Sequence, residues 1–280
     1  MRFARCSVAL LAAPLLFGCE SPAAPLLVEG AQRFDPPPAY HLWWELTQEC
    51  SGRRALFSRV RWYYVPGTVT LEVDGQRVEG YWTAPNTIVL AHAAVHDGPL
   101  VRHEMLHALQ DADGHPREFF LERCGGVVMC EGRCLEDAGP PPPANAAAPR
   151  VDPSALEVGV ELRPRGPSLG LYGGHFTLVV TARNPRSDAV IATLPPTSFG
   201  EPSTSFEYLI ENLVGLGGAV RAWDAGVTRF APGETKRQAF DLYLAGAVGI
   251  GDGGLPPGTY RFFGAYGGHW SAVPATLTVP

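Results

Sequence analysis

The sequence predicts an α+β domain followed by an all-β antiparallel sandwich. The chain has 280 residues, 46% of them hydrophobic, and one hydrophobic core rarely grows beyond about 250 residues. A proline-rich segment at residues 139–149 divides the chain. Before it, a helical pattern follows several short strands, whereas after it only short alternating strands and turn signals remain. This change of pattern indicates two domains of different class.

The composition excludes two classes of protein. The hydrophobic content is too high for a chain that is disordered over most of its length. The net charge is −6 and the sequence pI is about 5.8, so we expect no basic surface and no nucleic acid partner. The 32 glycines and 27 prolines favour turn-rich β structure over long helical bundles.

Residues 1–19 have the pattern of a secretory signal peptide. Two arginines precede an apolar run from Val8 to Phe17, which is too short to span a bilayer. The run ends in LFGC, which resembles the bacterial lipobox, and this resemblance implies that Cys19 becomes the lipidated first residue of the mature chain. Glu20 is not the aspartate linked to inner-membrane retention in some bacteria. The sequence thus predicts an exported protein of the bacterial cell envelope, held by a lipid anchor only, with the outer membrane favoured.

Export would place the other cysteines in an oxidising compartment. Besides Cys19, the mature chain would contain Cys50, Cys124, Cys130 and Cys134. Four thiols allow three pairings, of which we favour Cys50–Cys124 with Cys130–Cys134. A structural zinc site is disfavoured, because these cysteines lack paired C-x-x-C spacing.

The first domain is predicted over residues 41–137, after a proline- and alanine-rich tether at residues 20–40. Its first elements are a helix at 41–52 and strands at 60–65, 69–73, 77–82 and 86–92, with a tight turn at Asp74-Gly75. A second helix begins at Asp97, a favourable N-cap residue, with Pro99 in its first turn. It is expected to run to about Gln110.

The second helix carries an H-E-x-x-H motif formed by His103, Glu104 and His107. The two histidines are four residues apart, so they lie about 40° from each other on one helical face. Two imidazoles one turn apart can bind one Zn²⁺ ion. Glu104 lies one position further round the helix, where it can take a proton from a water molecule that the metal activates. The motif therefore predicts two zinc ligands and a general base.

The segment HEMLHALQDADGHP resembles the zincin class of metallopeptidases, and residues 41–136 resemble a minimal zincin N-terminal half. The resemblance implies a peptide or protein substrate and a third zinc ligand. Metzincins place that ligand six residues after the second histidine, where this chain has Asp113. His115 follows a glycine that can turn the chain and precedes Pro116, which favours an extended backbone. His115 is therefore our first choice.

The resemblance also leaves alternatives open around the site. Gluzincins take a glutamate from a later helix, which makes Glu118 or Glu122 the alternative third ligand. Met129 could lie beneath the metal as in metzincins, and Asp111 or Asp113 could accept hydrogen bonds from ligands. The strand at 88–92 is a candidate edge for pairing with a peptide substrate. Tyr81 could stabilise an oxyanion.

Residues 138–152 are predicted to form a second linker, and residues 153–280 an all-β sandwich. Strands are expected at 175–182, 189–194, 205–210, 238–244, 259–266 and 275–279. The stretches FTLVVTARNP, FAPGE and LPPGTY resemble bacterial Ig-like domains of the intracellular proteinase inhibitor type. The resemblance implies a spacer or binding module, and none of these residues carries catalysis. The full expectation is a minimal zincin-like α+β domain followed by an Ig-like sandwich.

Two functions of different class follow from the sequence. The first is an exported zinc metallohydrolase, for which we favour a peptidase over a cell-wall amidase. The alternative is a non-catalytic binding lipoprotein of the cell envelope, with a zincin-like scaffold and an Ig-like interaction domain. The intact Glu104 favours the enzyme, because a structural zinc site has no use for a general base. The lack of a clear fourth protein ligand agrees, since catalytic zinc keeps an open position.

Overall fold

The computed structural model of the protein describes most of the chain after residue 26. The described residues are 27–140, 148–164, 175–194, 204–211, 217–221, 227–243 and 257–279. The predicted signal peptide with Cys19, part of the tether and much of the second linker lie outside them. No helix within the described ranges has the length and apolarity that crossing a membrane requires.

The predicted fold class is wrong, because strands predominate over helices when all the described residues are taken together. The described residues form seventeen strands and three α-helices, and the strands are divided among five small sheets. The two parts also share a core, since Val179 from the second part packs among the buried residues of the first. We assigned the α+β class from several short strands followed by a helix and from the resemblance to zincins. A five-residue motif requires one helix and fixes neither the number of strands nor their arrangement.

The first part of the chain contains all three α-helices and six strands. The helices are α1 (Ala39–Ser51), α2 (Gly98–Gln110) and α3 (Arg133–Ala138), and a π-helix (Glu118–Arg123) lies between α2 and α3. The strands are β1 (Gln32–Arg33), β2 (Arg61–Val65), β3 (Leu71–Val73), β4 (Gln76–Val78), β5 (Gly80–Thr83) and β6 (Thr87–Ala91). They form a sheet of order β1-β2-β6-β5 and a separate β3–β4 hairpin.

Strand β6 lies in the middle of the four-stranded sheet. All five of its residues are buried, and it pairs with β2 in parallel and with β5 in antiparallel orientation. A central strand has no free edge, so the expectation that residues 88–92 offer an edge to a peptide is wrong. The outer strand on this side is β5. The single strand predicted at 77–82 is in fact β4 and β5, which belong to different sheets.

The boundaries of α2 follow local side-chain chemistry. The Asp97 carboxylate accepts a hydrogen bond from the Leu100 amide at 3.1 Å, which confirms the predicted N-cap. The helix ends at Gln110, and Asp111 takes the left-handed conformation with φ 55°. The helix thus ends where we predicted, but the left-handed residue that follows it is Asp111 and not Gly114. Aspartate tolerates this conformation better than most residues.

Two disulfides are present, with the pairing that we favoured. Cys50–Cys124 links the end of α1 to the residue after the π-helix, and Cys130–Cys134 closes a short loop before and at the start of α3. Two disulfides indicate an oxidising environment, in agreement with export. Both bonds lie in the part of the chain that carries the H-E-x-x-H helix.

Replacing Cys50 and Cys124 with serine should lower the free energy of unfolding by about 2–4 kcal/mol. The bond joins residues 74 positions apart, so it restricts the unfolded chain over a long loop. Urea unfolding of the variant and the wild type measures the difference. The matched control is Cys130→Ser/Cys134→Ser, where the separation is only 4. Equal losses in the two variants would contradict the loop-length argument.

The second part of the chain is built of strands. They are β7 (Arg150–Val151), β8 (Glu157–Pro164), β9 (His175–Arg183), β10 (Val190–Thr193), β11 (Thr204–Glu211), β12 (Gly217–Arg221), β13 (Val227–Phe230), β14 (Thr235–Tyr243), β15 (Gly258–Tyr266), β16 (His269–Trp270) and β17 (Ala275–Val279). They form sheets of orders β13-β10-β7, β14-β9-β8 and β12-β11-β15-β16, and β17 pairs with β15. Six of the eleven strands overlap the predicted segments, namely β9, β10, β11, β14, β15 and β17. The other five, β7, β8, β12, β13 and β16, were not predicted.

The two parts of the chain meet along β14. Its outer edge faces the loop after the π-helix, where the Ala239 amide donates a hydrogen bond to the Gly126 carbonyl at 2.8 Å. This contact covers an edge that would otherwise expose unpaired backbone groups. Further along β14, Asp241 reaches Arg102 on α2 at 2.9 Å. The second part is therefore packed directly against the helix that carries the motif.

Candidate metal centre

Three imidazoles converge at one point beside α2. His103 and His107 come from successive turns of α2, and His115 comes from the loop that follows it. The Nε2 atom of His103 lies 3.1 Å from that of His107 and 3.2 Å from that of His115. All three ligand atoms lie within 4.8 Å of one another. The three histidines that the sequence singled out are thus brought together.

The other ring nitrogen of each histidine has its own partner. His103 Nδ1 lies 2.6 Å from the Met129 carbonyl oxygen and His107 Nδ1 lies 2.9 Å from the Ala112 carbonyl oxygen. Carbonyl oxygens only accept hydrogen bonds, so each Nδ1 carries the proton and donates it. His115 Nδ1 lies 2.9 Å from the Asp137 carboxylate. Such partners fix the ring orientation and the tautomer of metal-binding histidines.

This tautomer makes the site suited to a cation. Burial first, and then the neighbouring imidazoles, lower the pKa of His103 to about 3, and burial lowers that of His107 to about 4. Both rings are therefore neutral, with Nδ1 protonated and a lone pair on Nε2. Lone pairs that face each other at 3.1 Å repel unless a positive charge lies between them. Three imidazole nitrogens are a common protein ligand set for zinc.

Phe120 forms an apolar floor under the three rings. Its ring centroid lies 4.9 Å from those of His103 and His115 and 5.0 Å from that of His107, and it is fully buried. It comes from the π-helix, a rare element that often occurs at functional sites. We had considered Met129 for this place. Met129 instead contributes its backbone carbonyl to His103.

Glu104 belongs to α2, and its side chain is buried against β5. Its carboxylate accepts a hydrogen bond from the Trp82 amide, and burial, only partly offset by that bond, raises its pKa to about 8. The Trp82 indole stacks on His107, with ring centroids 6.5 Å apart. Gly80 allows β5 to pass this close, since a Cβ there would lie 3.3 Å from the Glu104 side chain. The carboxyl group is thus held beside the imidazoles under the outer strand.

Other residues that the sequence suggested lie elsewhere. Glu118 forms an ion pair with Arg123 at 2.6 Å, and Glu122 lies 3.5 Å from Arg117. The cluster of converging ligand atoms includes His115 but neither of these glutamates. The Tyr81 hydroxyl accepts a hydrogen bond from the Val28 amide, so Tyr81 points away from the face that Trp82 shares with α2.

Asp111 and Asp113 are exposed. Other groups accept the hydrogen bonds from the histidines that we had expected these two carboxylates to accept. The backbone between them holds His107 through the Ala112 carbonyl, and Asp137 holds His115. Asp137 lies 22 residues after His115, on a helix that sequence patterns did not predict. A carboxylate so far along the chain gives no local signal.

Sequence reasoning also missed the fully buried Arg102. This residue precedes His103, and its guanidinium contacts the Val127 carbonyl, the face of Trp43 and the Asp241 carboxylate. Buried arginine is rare unless it is paired. The pairing residue belongs to the second part of the chain, so helix α2 depends on that part to neutralise the charge of Arg102.

Comparisons with known proteins found no relative of this chain. No protein-family model, no curated protein and no solved structure matches this chain. What the site can do therefore follows from its donor atoms and their surroundings.

Proposed function

We propose that the protein is an exported zinc metallohydrolase that cleaves peptide bonds. The observation that carries the proposal is the convergence of three imidazole Nε2 atoms whose Nδ1 atoms are all engaged. An intact Glu104 beside them supplies what a purely structural site would not need. We extend the proposal to location: the lipobox-like sequence would lipidate Cys19 and anchor the protein in the cell envelope, with the outer membrane favoured.

The donor set fits zinc better than a hard cation. His103, His107 and His115 offer three imidazole nitrogens, whereas calcium and magnesium require oxygen ligands. Bound zinc would supply Lewis acidity, which polarises a carbonyl group and lowers the pKa of water. Three protein ligands would leave a position open for the reaction.

The residues around the histidines have separate roles in this proposal. Glu104 takes a proton from the attacking water and then gives it to the leaving nitrogen. The Trp82 amide orients the Glu104 carboxylate by its hydrogen bond. Phe120 keeps one side of the cluster dry, which strengthens electrostatic interactions there. An extended peptide would add to the sheet at β5, the outer strand beside Glu104.

Metal content tests this proposal directly. The purified protein should hold about one zinc ion per chain. The His103→Ala variant should hold almost none, because the two remaining histidines would bind zinc only weakly. Elemental analysis after incubation with zinc and removal of excess metal measures both. His96→Ala is the matched control, since His96 is an exposed histidine outside the cluster. Wild-type protein that binds no zinc under these conditions would overturn the metallohydrolase.

A further inference from the structure

One short segment supplies the outer hydrogen-bond partners of two of the three imidazoles. The Met129 carbonyl accepts the bond from His103, and the Asp137 carboxylate contacts His115 at 2.9 Å. Between these two positions lie Cys130 and Cys134, which are joined by a disulfide. The disulfide therefore restricts how far apart the two partners can lie in space.

Helix α3, which carries Asp137, has few means of holding its own position. Among the six described residues of this helix, Cys134 alone is buried. Helices this short are unstable by themselves, so tertiary contacts must place them. Asp137 also lies 3.6 Å from Arg133 on the same helix, and exposed pairs of this kind contribute little. Side-chain hydrogen bonds also hold this segment, from Arg133 to Gln76 at 2.8 Å and from Arg117 to the Gly139 carbonyl at 3.0 Å. The disulfide adds a buried covalent anchor to them.

Met129 is anchored on the other side of the disulfide. Its amide donates to the Pro99 carbonyl in the first turn of α2 at 3.0 Å, while its carbonyl serves His103 four residues further along that helix. Cys130 follows directly and is buried. The disulfide thereby ties α3 to a backbone segment that already runs along α2.

We propose that the loop of residues 129–137, closed by Cys130–Cys134, is a positioning element that sets the metal affinity of the three histidines. Asp137 acts through His115 and is a positioning residue. This inference rests on the proposed metal site. A carboxylate bonded to a ligating imidazole fixes the ring and raises its basicity, and loss of such a partner typically weakens metal binding 10–100-fold.

The positioning role can be separated from a general role in stability. A loop closed over a separation of 4 residues restricts the unfolded chain far less than one closed over 74. Asp137 is exposed, so its removal should leave the fold intact. Metal affinity should therefore fall in variants whose thermal unfolding, measured without metal, is little changed.

The experiment measures zinc affinity of the full chain by competition with a chromogenic chelator. Asp137→Ala and Cys130→Ser/Cys134→Ser should each bind zinc about 10–100-fold more weakly than the wild type. Glu136→Ala is the matched control, because Glu136 is an exposed carboxylate on the same helix, and its affinity should not change. If the double serine variant fails to fold, the comparison of Asp137→Ala with Glu136→Ala decides.

Combining the variants tests whether the disulfide acts through Asp137. In the double serine background, Asp137→Ala should weaken zinc binding by a smaller factor than it does in the wild type. Effects of coupled residues on a binding free energy do not add. Fully multiplicative losses would overturn the coupling. Zinc binding by Asp137→Ala as tight as that of the wild type would overturn the inference and leave the metal site standing. A wild type that binds no zinc would overturn the metal site, and the inference with it.

Discussion

Replacing Glu104 with glutamine should lower the rate of peptide hydrolysis by about 10²–10⁴-fold and leave zinc bound. The amide has the size of the carboxyl group but cannot take the proton from water. Its oxygen can still accept the Trp82 amide bond, so the side chain should remain where the carboxylate lies now. Because Glu104 is buried, a neutral replacement should not destabilise the protein.

The measurement combines a screen of internally quenched peptides with elemental analysis of each variant. Glu118→Gln is the matched control, because Glu118 is a glutamate of the same part that pairs with Arg123 at the surface. Its activity and zinc content should equal those of the wild type. Zinc-loaded Glu104→Gln with undiminished hydrolysis would remove Glu104 as the general base. Zinc-loaded wild type with no hydrolysis of any peptide or stem-peptide amide would instead favour a binding protein.

Replacing Asp241 with alanine should lower the free energy of unfolding by about 3–5 kcal/mol. Asp241 accepts hydrogen bonds from Arg102 at 2.9 Å and from the Thr177 hydroxyl at 2.7 Å. Arg102 is completely buried, so loss of the carboxylate would leave its charge without compensation. Thermal and urea unfolding of the metal-free variant measure the loss.

A second variant distinguishes an unpaired charge from lost packing. Arg102→Met combined with Asp241→Leu removes both charges, and replacing a whole buried pair by apolar groups is often close to neutral. This double variant should therefore be more stable than Asp241→Ala alone. Glu211→Ala is the matched surface control, since the Arg261–Glu211 pair is exposed on both sides and should contribute less than about 1 kcal/mol. An Asp241→Ala variant as stable as Glu211→Ala would contradict the role of the pair.

The position of Arg102 links this pair to the three-histidine cluster. Arg102 precedes His103 on α2, and Asp241 lies on β14 in the second part. The Ala239–Gly126 hydrogen bond joins the same strand to the loop between Phe120 and Met129, both of which contact the imidazoles. Asp241→Ala should therefore weaken zinc binding as well as stability. The second part of the chain thus packs against the elements that hold the three histidines.

Sequence patterns predicted the parts of the site that depend on local chemistry. The α2 N-cap at Asp97, the common helical face of His103 and His107, and the turn that brings back His115 all depend on residues within about one helix length. The favoured disulfide pairing is also present, although the sequence alone allowed three. Periodicity and turn propensity act over such short distances, so a single sequence records them.

Only the tertiary structure decided how the sheets are divided and what surrounds the imidazoles. Phe120 beneath the rings, Asp137 on His115 and Asp241 on Arg102 are contacts between elements that no spacing rule relates. The same holds for β5 as the outer strand beside Glu104 and for the mostly-β arrangement that replaced the predicted fold class. A sequence determines which side chains are available, whereas strand order and packing depend on the total free energy of many weak, long-range contacts.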